Sequence, residues 1–153
     1  RLALALSVCL VCSSALSAKD PLAQRIQRAE PDKLRVAKSV HAGAGELHYT
    51  GLFDAQTFNT NFIFLHRGVI QPKGGIGHHF HNHMEEMFVI FDGEAQFTVN
   101  GRTSLLQAPA GAPNRMGSSH AIYNPTDKPV QWMNIAVGRS EERHVGKDVD
   151  LGG

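Results

Sequence analysis

With 153 residues the chain can build one ordinary domain with a real core, and it is too short for two. Lys and Arg total 15 against 14 Asp and Glu, and no run of like charges occurs, which argues against a nucleic-acid or membrane-surface footprint. A small molecule is the expected partner.

Residues 1–18, RLALALSVCLVCSSALSA, run from a basic residue through an apolar stretch to small residues suited to cleavage after Ala15 or Ala18. This pattern predicts a secretory signal peptide, with a buried N-terminal helix as the alternative, and it places the mature protein outside the cell or in the periplasm without stable membrane association. Cys9 and Cys12 both lie in this segment, so the cleaved chain would hold no cysteine and no thiolate chemistry. Residues 19–45 read as an arm. Asp20 can cap, Pro21 suits a first helical position, Leu22 and Ile26 share a face and Pro31 stops the run, predicting a short helix. From Asp32 to Gly45 no periodicity emerges, and His41 reads as a solvated loop histidine.

From Glu46 the pattern changes to short β-type segments, rich in Phe, Ile, Val, Thr and Tyr and separated by Gly, Pro, Asn and Asp. They are 46–50, 61–70, 86–91, 95–99, 103–107, 119–123 and 130–137, with hairpin signals at Asp92-Gly93 and Asn100-Gly101. The spacing predicts an all-β sandwich or small barrel over 46–138, followed by a mobile tail over 139–153.

The stretch His78-His79-Phe80-His81-Asn82-His83-Met84-Glu85-Glu86 carries the chemistry. If 77–82 is extended, His79 and His81 share a face, because side chains alternate along a strand. His78 then points the other way and His83 falls in the turn. Glu86 opens the next strand, where a hairpin would set its carboxylate beside the two imidazoles, with Phe88 and Ile90 on the same face. A surface histidine-rich loop, or a His81, His83 and Glu86 register, are the alternatives from this segment alone.

These residues resemble the first motif of the cupin superfamily, which has Gly, His-x-His, three or four residues, Glu, six residues, Gly. Here His79-Phe80-His81, Glu86 and Gly93 match, while Gly74 lies one residue closer to His79 than in the family pattern. Pro109-Ala110-Gly111 and His120-Ala121-Ile122-Tyr123-Asn124 resemble the two ends of the second motif, although eight residues separate Gly111 from His120 where the family usually has two. The resemblance implies a double-stranded β-helix, or jelly-roll barrel, in which His79, His81, Glu86 and His120 converge on a divalent transition metal. It also implies homodimerisation, which is common in small members.

Three imidazoles and a carboxylate suit Fe, Mn, Ni, Cu or Zn, and an octahedral ion would keep two positions open for a chelating substrate. No spare inward carboxylate is evident, so proton transfer would fall to water on the metal, to Tyr123 or to His66. Arg67 and Arg115 are the candidates to hold a substrate carboxylate or phosphate. Asn61, Gln131 and Asn134 are candidate neutral contacts, and Asn124 a candidate support for His120. The expected function is a metal-dependent enzyme on a small chelating substrate, of dioxygenase or of isomerase, lyase or decarboxylase type. The alternative is a secreted module that binds a sugar or small acid, or sequesters metal.

Overall fold

The computed structural model describes residues 22–139, and the expected signal peptide and the tail beyond Arg139 lie outside them. Ten strands form two antiparallel sheets: β1 (Arg35–Lys38), β2 (Glu46–Asp54), β3 (Phe62–Ile70), β4 (Gly75–His81), β5 (Met84–Ile90), β6 (Glu94–Val99), β7 (Arg102–Gln107), β8 (Ala110–Asn114), β9 (Ser118–Tyr123) and β10 (Val130–Gly138). One sheet has the order β1-β2-β3-β10-β5-β8, the other β4-β9-β6-β7. This is an all-β jelly roll, as the segment spacing predicts.

Alternation decides which side chains enter the space between the sheets. On β5, Met84, Glu86, Phe88 and Ile90 are buried in turn, and on β10 Val130, Trp132, Asn134 and Ala136 do the same. With Leu47, Ile70, Ile76, Phe97 and Ile122 these residues make the core, a fully buried Phe or Leu contributing about 1.5–3 kcal/mol. Asn100 and Gly101, at φ 49° and 76°, form the tight β6–β7 turn that their dipeptide predicts.

Three local expectations change. Among the described residues the expected short helix is one turn, Leu22–Arg25, and Pro31 opens a 3-10 turn rather than directly stopping the helix. Arg35–Lys38 pairs with β2, so part of the expected arm belongs to the larger sheet. Ala110–Asn114, too Gly/Pro-rich to read as a strand, is drawn into one by pairing along β5.

β4 is irregular where it matters most. It pairs with β9 as Ile76 against Ile122 and His79 against His120, so two residues, Gly77 and His78, face one partner position. This is a β-bulge. Unbroken pairing from Ile76 would turn His78 and Phe80 inward; the extra residue turns His79 and His81 inward instead, and leaves His78 and Phe80 exposed.

Candidate metal centre

His79 and His81 come from β4, Glu86 from β5 and His120 from β9, and one donor atom from each lies within 4.8 Å of the others. The β4–β5 connection is only Asn82-His83, short enough to fold Glu86 back against the two imidazoles. His120 Nε2 stands 2.9 Å from His79 Nε2 and 3.0 Å from Glu86 Oε2, and His81 Nε2 lies 3.4 Å from that same oxygen. His83 is exposed, which removes the His81, His83 and Glu86 register, and the cluster is no surface loop: His120 is 0% and Glu86 5% exposed.

The surroundings prepare these groups to be ligands. His79 Nδ1 is 2.8 Å from the Gly77 carbonyl, which takes the ring proton there and leaves Nε2 free to face the cluster. Burial pushes the His79 pKa down to about 4, against the opposing effect of that carbonyl, so the ring is neutral near pH 7. Burial would raise Glu86, but His120 and His81 outweigh it and hold the carboxyl down to about 2. His81 Nε2 and Glu86 Oε2 are buried and make no well-aligned hydrogen bond, the imidazoles standing beside the carboxylate as charge neighbours. Such orphaned atoms are destabilising unless something binds them, and two of them aimed into one His₃Glu cluster fit a transition metal. Phe88 and Phe97 enclose His120 at 5.4 and 6.0 Å between ring centroids and keep that side apolar.

On the other side opens a cavity of about 230 Å³, lined by His79, Glu86, Asn134, His66, Tyr49 and Trp132 and by residues of the β1 segment. It is below the roughly 300–1,000 Å³ common for drug-sized ligands, so its occupant is small. Asn134, 5% exposed, has its Nδ2 3.5 Å from Glu86 Oε1, which leaves its Oδ1 without a partner, as is Trp132 Nε1.

Of the four residues expected to handle protons or hold the substrate, only His66 is at the cavity. Its ring stacks on Phe64 at 4.2 Å, and burial followed by the charge of Arg35 pushes its pKa down to about 4. Tyr123 is a correction: His120 and Ile122 are the buried positions of β9, and alternation turns Tyr123 to the outer face. Arg67 is another, since it lies on the outside of β3, donates to the Trp132 carbonyl at 2.8 Å and to Gln131, and covers the Phe91 ring. Arg115 is exposed in the β8–β9 turn and does not line the cavity. Asn124 does not support His120. Its Nδ2 reaches the Ile70, Gln71 and Lys128 carbonyls, its Oδ1 accepts from Thr126, and it pins the β9–β10 loop. Asn61 and Gln131 bond to Gly138 and Asp92 instead of the cavity.

His41 is the site residue that sequence reading misses. It stacks on His79 with centroids 3.9 Å apart and planes 12° from parallel, and it lines the cavity. Nothing in the irregular run 32–45 signals it.

Residues 66–137 match the family model described as "Cupin domain". Mannose-1-phosphate guanylyltransferases of Klebsiella pneumoniae and Escherichia coli are each 32% identical over 81 residues, which is 53% of this chain and 16% of theirs. The chain thus corresponds to a small part of those relatives. A predicted oxalate decarboxylase from Thermotoga maritima superposes with a TM-score of 0.68 at 20% identity, covering 74% of this chain and 98% of that one. A Cupin 2 conserved barrel domain protein from Salinispora arenicola CNS-205 gives 0.60 at 23% identity, over 74% and 88%.

Proposed function

Because residues 66–137 match a cupin-domain family model, and because the donor set His79, His81, Glu86 and His120 is complete beside a small cavity, we propose that the chain is a cupin acting as a metal-dependent enzyme on a small, metal-chelating organic substrate. The observation that carries the reading is the convergence of His79, His81, Glu86 and His120 within 4.8 Å, with two buried donor atoms left unsatisfied. Divalent Fe, Mn, Ni, Cu or Zn fits these donors, affinity alone favouring Cu or Zn. When bound, such an ion supplies Lewis-acid polarisation of a chelated oxygen or, for a redox metal, dioxygen chemistry.

The chain's own residues do the rest. Phe88 and Phe97 pack against the His120 ring and keep water from that side of the site, and Asn134, bonded to Glu86, fixes the carboxylate. His66, neutral near pH 7 and on the cavity wall, is placed to accept a hydrogen bond from a bound substrate. The reactions this supports are dioxygen-dependent cleavage, or isomerase, lyase or decarboxylase chemistry.

Metal analysis of the purified protein should find one transition metal per chain, lost in His79→Ala or His120→Ala. Absence of metal from the wild type would end the reading. Turnover of a panel of catechols, β-diketones, hydroxy acids and uronates by iron- or manganese-loaded protein separates the enzyme from a binding module, for which tight binding without conversion is the mark.

Two further proposals accompany it. The apolar residues 2–12 support secretion, tested by N-terminal sequencing of the mature chain from extracellular or periplasmic fractions. The outer face of β3, β10 and β5, with Leu65, Met133, Ile135, Met87 and Val89, supports a homodimer, tested by light scattering on the eluting peak.

A further inference from the structure

The cavity is roofed by a segment that lies outside the 66–137 match: Ala37, Lys38, Val40 and His41 line it. Its backbone is unusual. Ser39, His41 and Ala42 take φ of 51°, 49° and 57°, three non-glycine residues out of four in the left-handed region. Such strained conformations persist where the surroundings over-determine them, commonly at ligand clamps. The fastening is visible here. A Cβ on Gly43 would come within 2.5 Å of Gly77 N and 2.6 Å of Gly75 O, and one on Gly77 within 2.1 Å of His41 O, so the segment seats backbone against backbone on β4. Gly75 N also donates to Ala44 O at 2.9 Å. The outcome of this strained seating is one placement: the His41 ring flat on His79, at the edge of the donor cluster.

Charge identifies what the roof faces. Among the described residues the lining holds one cation, Lys38, the neutral rings of His66 and His79 beside His41, and a single carboxylate, Glu86, which belongs to the donor set. Lys38 is 75% exposed and is 3.7 Å from Glu46, so it stands at the mouth. A divalent ion would leave the cavity with excess positive charge, a field that draws small anions.

Resting on the metal-site reading above, we propose that the segment 37–42 is the specificity wall of the cavity, with His41 the side chain that contacts a small anionic chelator held by the metal and Lys38 the cation at its entrance. His41 is thereby a substrate-binding residue as well as the wall against which His79 is stacked.

The test uses protein loaded with Co²⁺ and titrated with oxalate, followed by the visible spectrum of the cobalt. The wild type is expected to hold one Co²⁺ per chain and to bind oxalate saturably. His41→Phe, which keeps the stack on His79, is expected to keep the cobalt stoichiometry and lose oxalate affinity at least tenfold. His41→Asn, which tolerates the left-handed backbone and retains a hydrogen-bonding edge, should recover part of the loss. Gly43→Ala, whose Cβ would meet Gly77 N and lift the roof, should keep the cobalt stoichiometry and lose oxalate affinity as His41→Phe does. Oxalate affinities within twofold of wild type in both His41→Phe and Gly43→Ala would overturn the proposal, as would a cobalt-loaded wild type that ignores oxalate. A wild type that binds no cobalt would instead overturn the metal site itself.

Discussion

Replacing Glu86 by Gln takes one negative charge from the donor set and leaves the side chain's shape. In the native protein this carboxylate is the only acidic member of the cluster, 3.0 Å from His120 Nε2 and 3.4 Å from His81 Nε2, and held ionised by them. A neutral amide would leave three imidazoles around a dication with no opposite charge. Loss of a mere supporting hydrogen bond at a metal site lowers affinity about 10–100-fold, so loss of the charged ligand should reach at least the upper figure, about 2.7 kcal/mol. Linkage turns this into a thermal shift. With free metal at about 100 times its Kd, the wild type gains about 2.7 kcal/mol, which raises the Tm of a domain this size by about 5–11 °C. At that same metal concentration the variant sits near its own Kd and gains about 0.4 kcal/mol, a shift of about 1–2 °C. Differential scanning fluorimetry of metal-free protein titrated with Zn²⁺ measures both, and the metal-free Tm of the variant reports any damage to the fold. A Zn²⁺-induced rise in Glu86→Gln equal to that of the wild type would refute the placement of Glu86 as a ligand.

Asn124→Ala should destabilise the metal-free protein by about 2–4 kcal/mol in urea unfolding, because it strips the partners from a buried loop, yet leave Zn²⁺ affinity within about threefold; a large affinity loss would restore it as a support for His120. His66 sets a pH dependence. Its pKa falls from 6.5 in the unfolded chain to about 4 in the fold, so between those values the unfolded chain binds a proton that the folded one does not. Stability of the metal-free protein should therefore decline as pH drops from 6.5 to 4, His66 contributing on the order of 2 kcal/mol once its partial exposure is allowed for. Urea midpoints of His66→Phe should show a shallower acid slope, and an unchanged slope would place the titration elsewhere. His120→Ala should remove the metal and also destabilise the metal-free protein by about 1–3 kcal/mol, since it opens a gap between Phe88 and Phe97 and strips a partner from Glu86; retention of stoichiometric Zn²⁺ in dialysis would contradict its role.

The donors were legible because their logic is local. A period of two, a two-residue connection and a carboxylate at the head of the next strand are all written between positions 79 and 86, and the His120 end of the second motif supplies the last imidazole. What escaped depends on contacts distant in sequence. Tyr123 follows a ligand by three residues and looks available, but strand parity turns it outward. Arg67 suits a carboxylate clamp chemically, yet its strand presents it to the Trp132 carbonyl and Gln131. β8 has no strand propensity and exists because β5 offers it an edge. His41 sits in a run whose conformation is imposed by glycines some thirty residues later, so no local pattern announces it.

The bulge at Gly77 and His78 gives β4 something like two reading frames. Upstream, Ile76 is in phase with the apolar core; downstream, His79 and His81 are in phase with the metal donors, and the extra residue separates the two. Length changes in this strand should then be tolerated very unevenly. Deleting His78 would merge the frames into one regular ladder that still points His79 and His81 inward, whereas deleting Phe80 would throw His81 to the outside and break the site. The coordination sphere is thus insulated from insertions and deletions on its N-terminal side, where the roof segment docks, so the roof can vary in shape while the metal donors keep their phase.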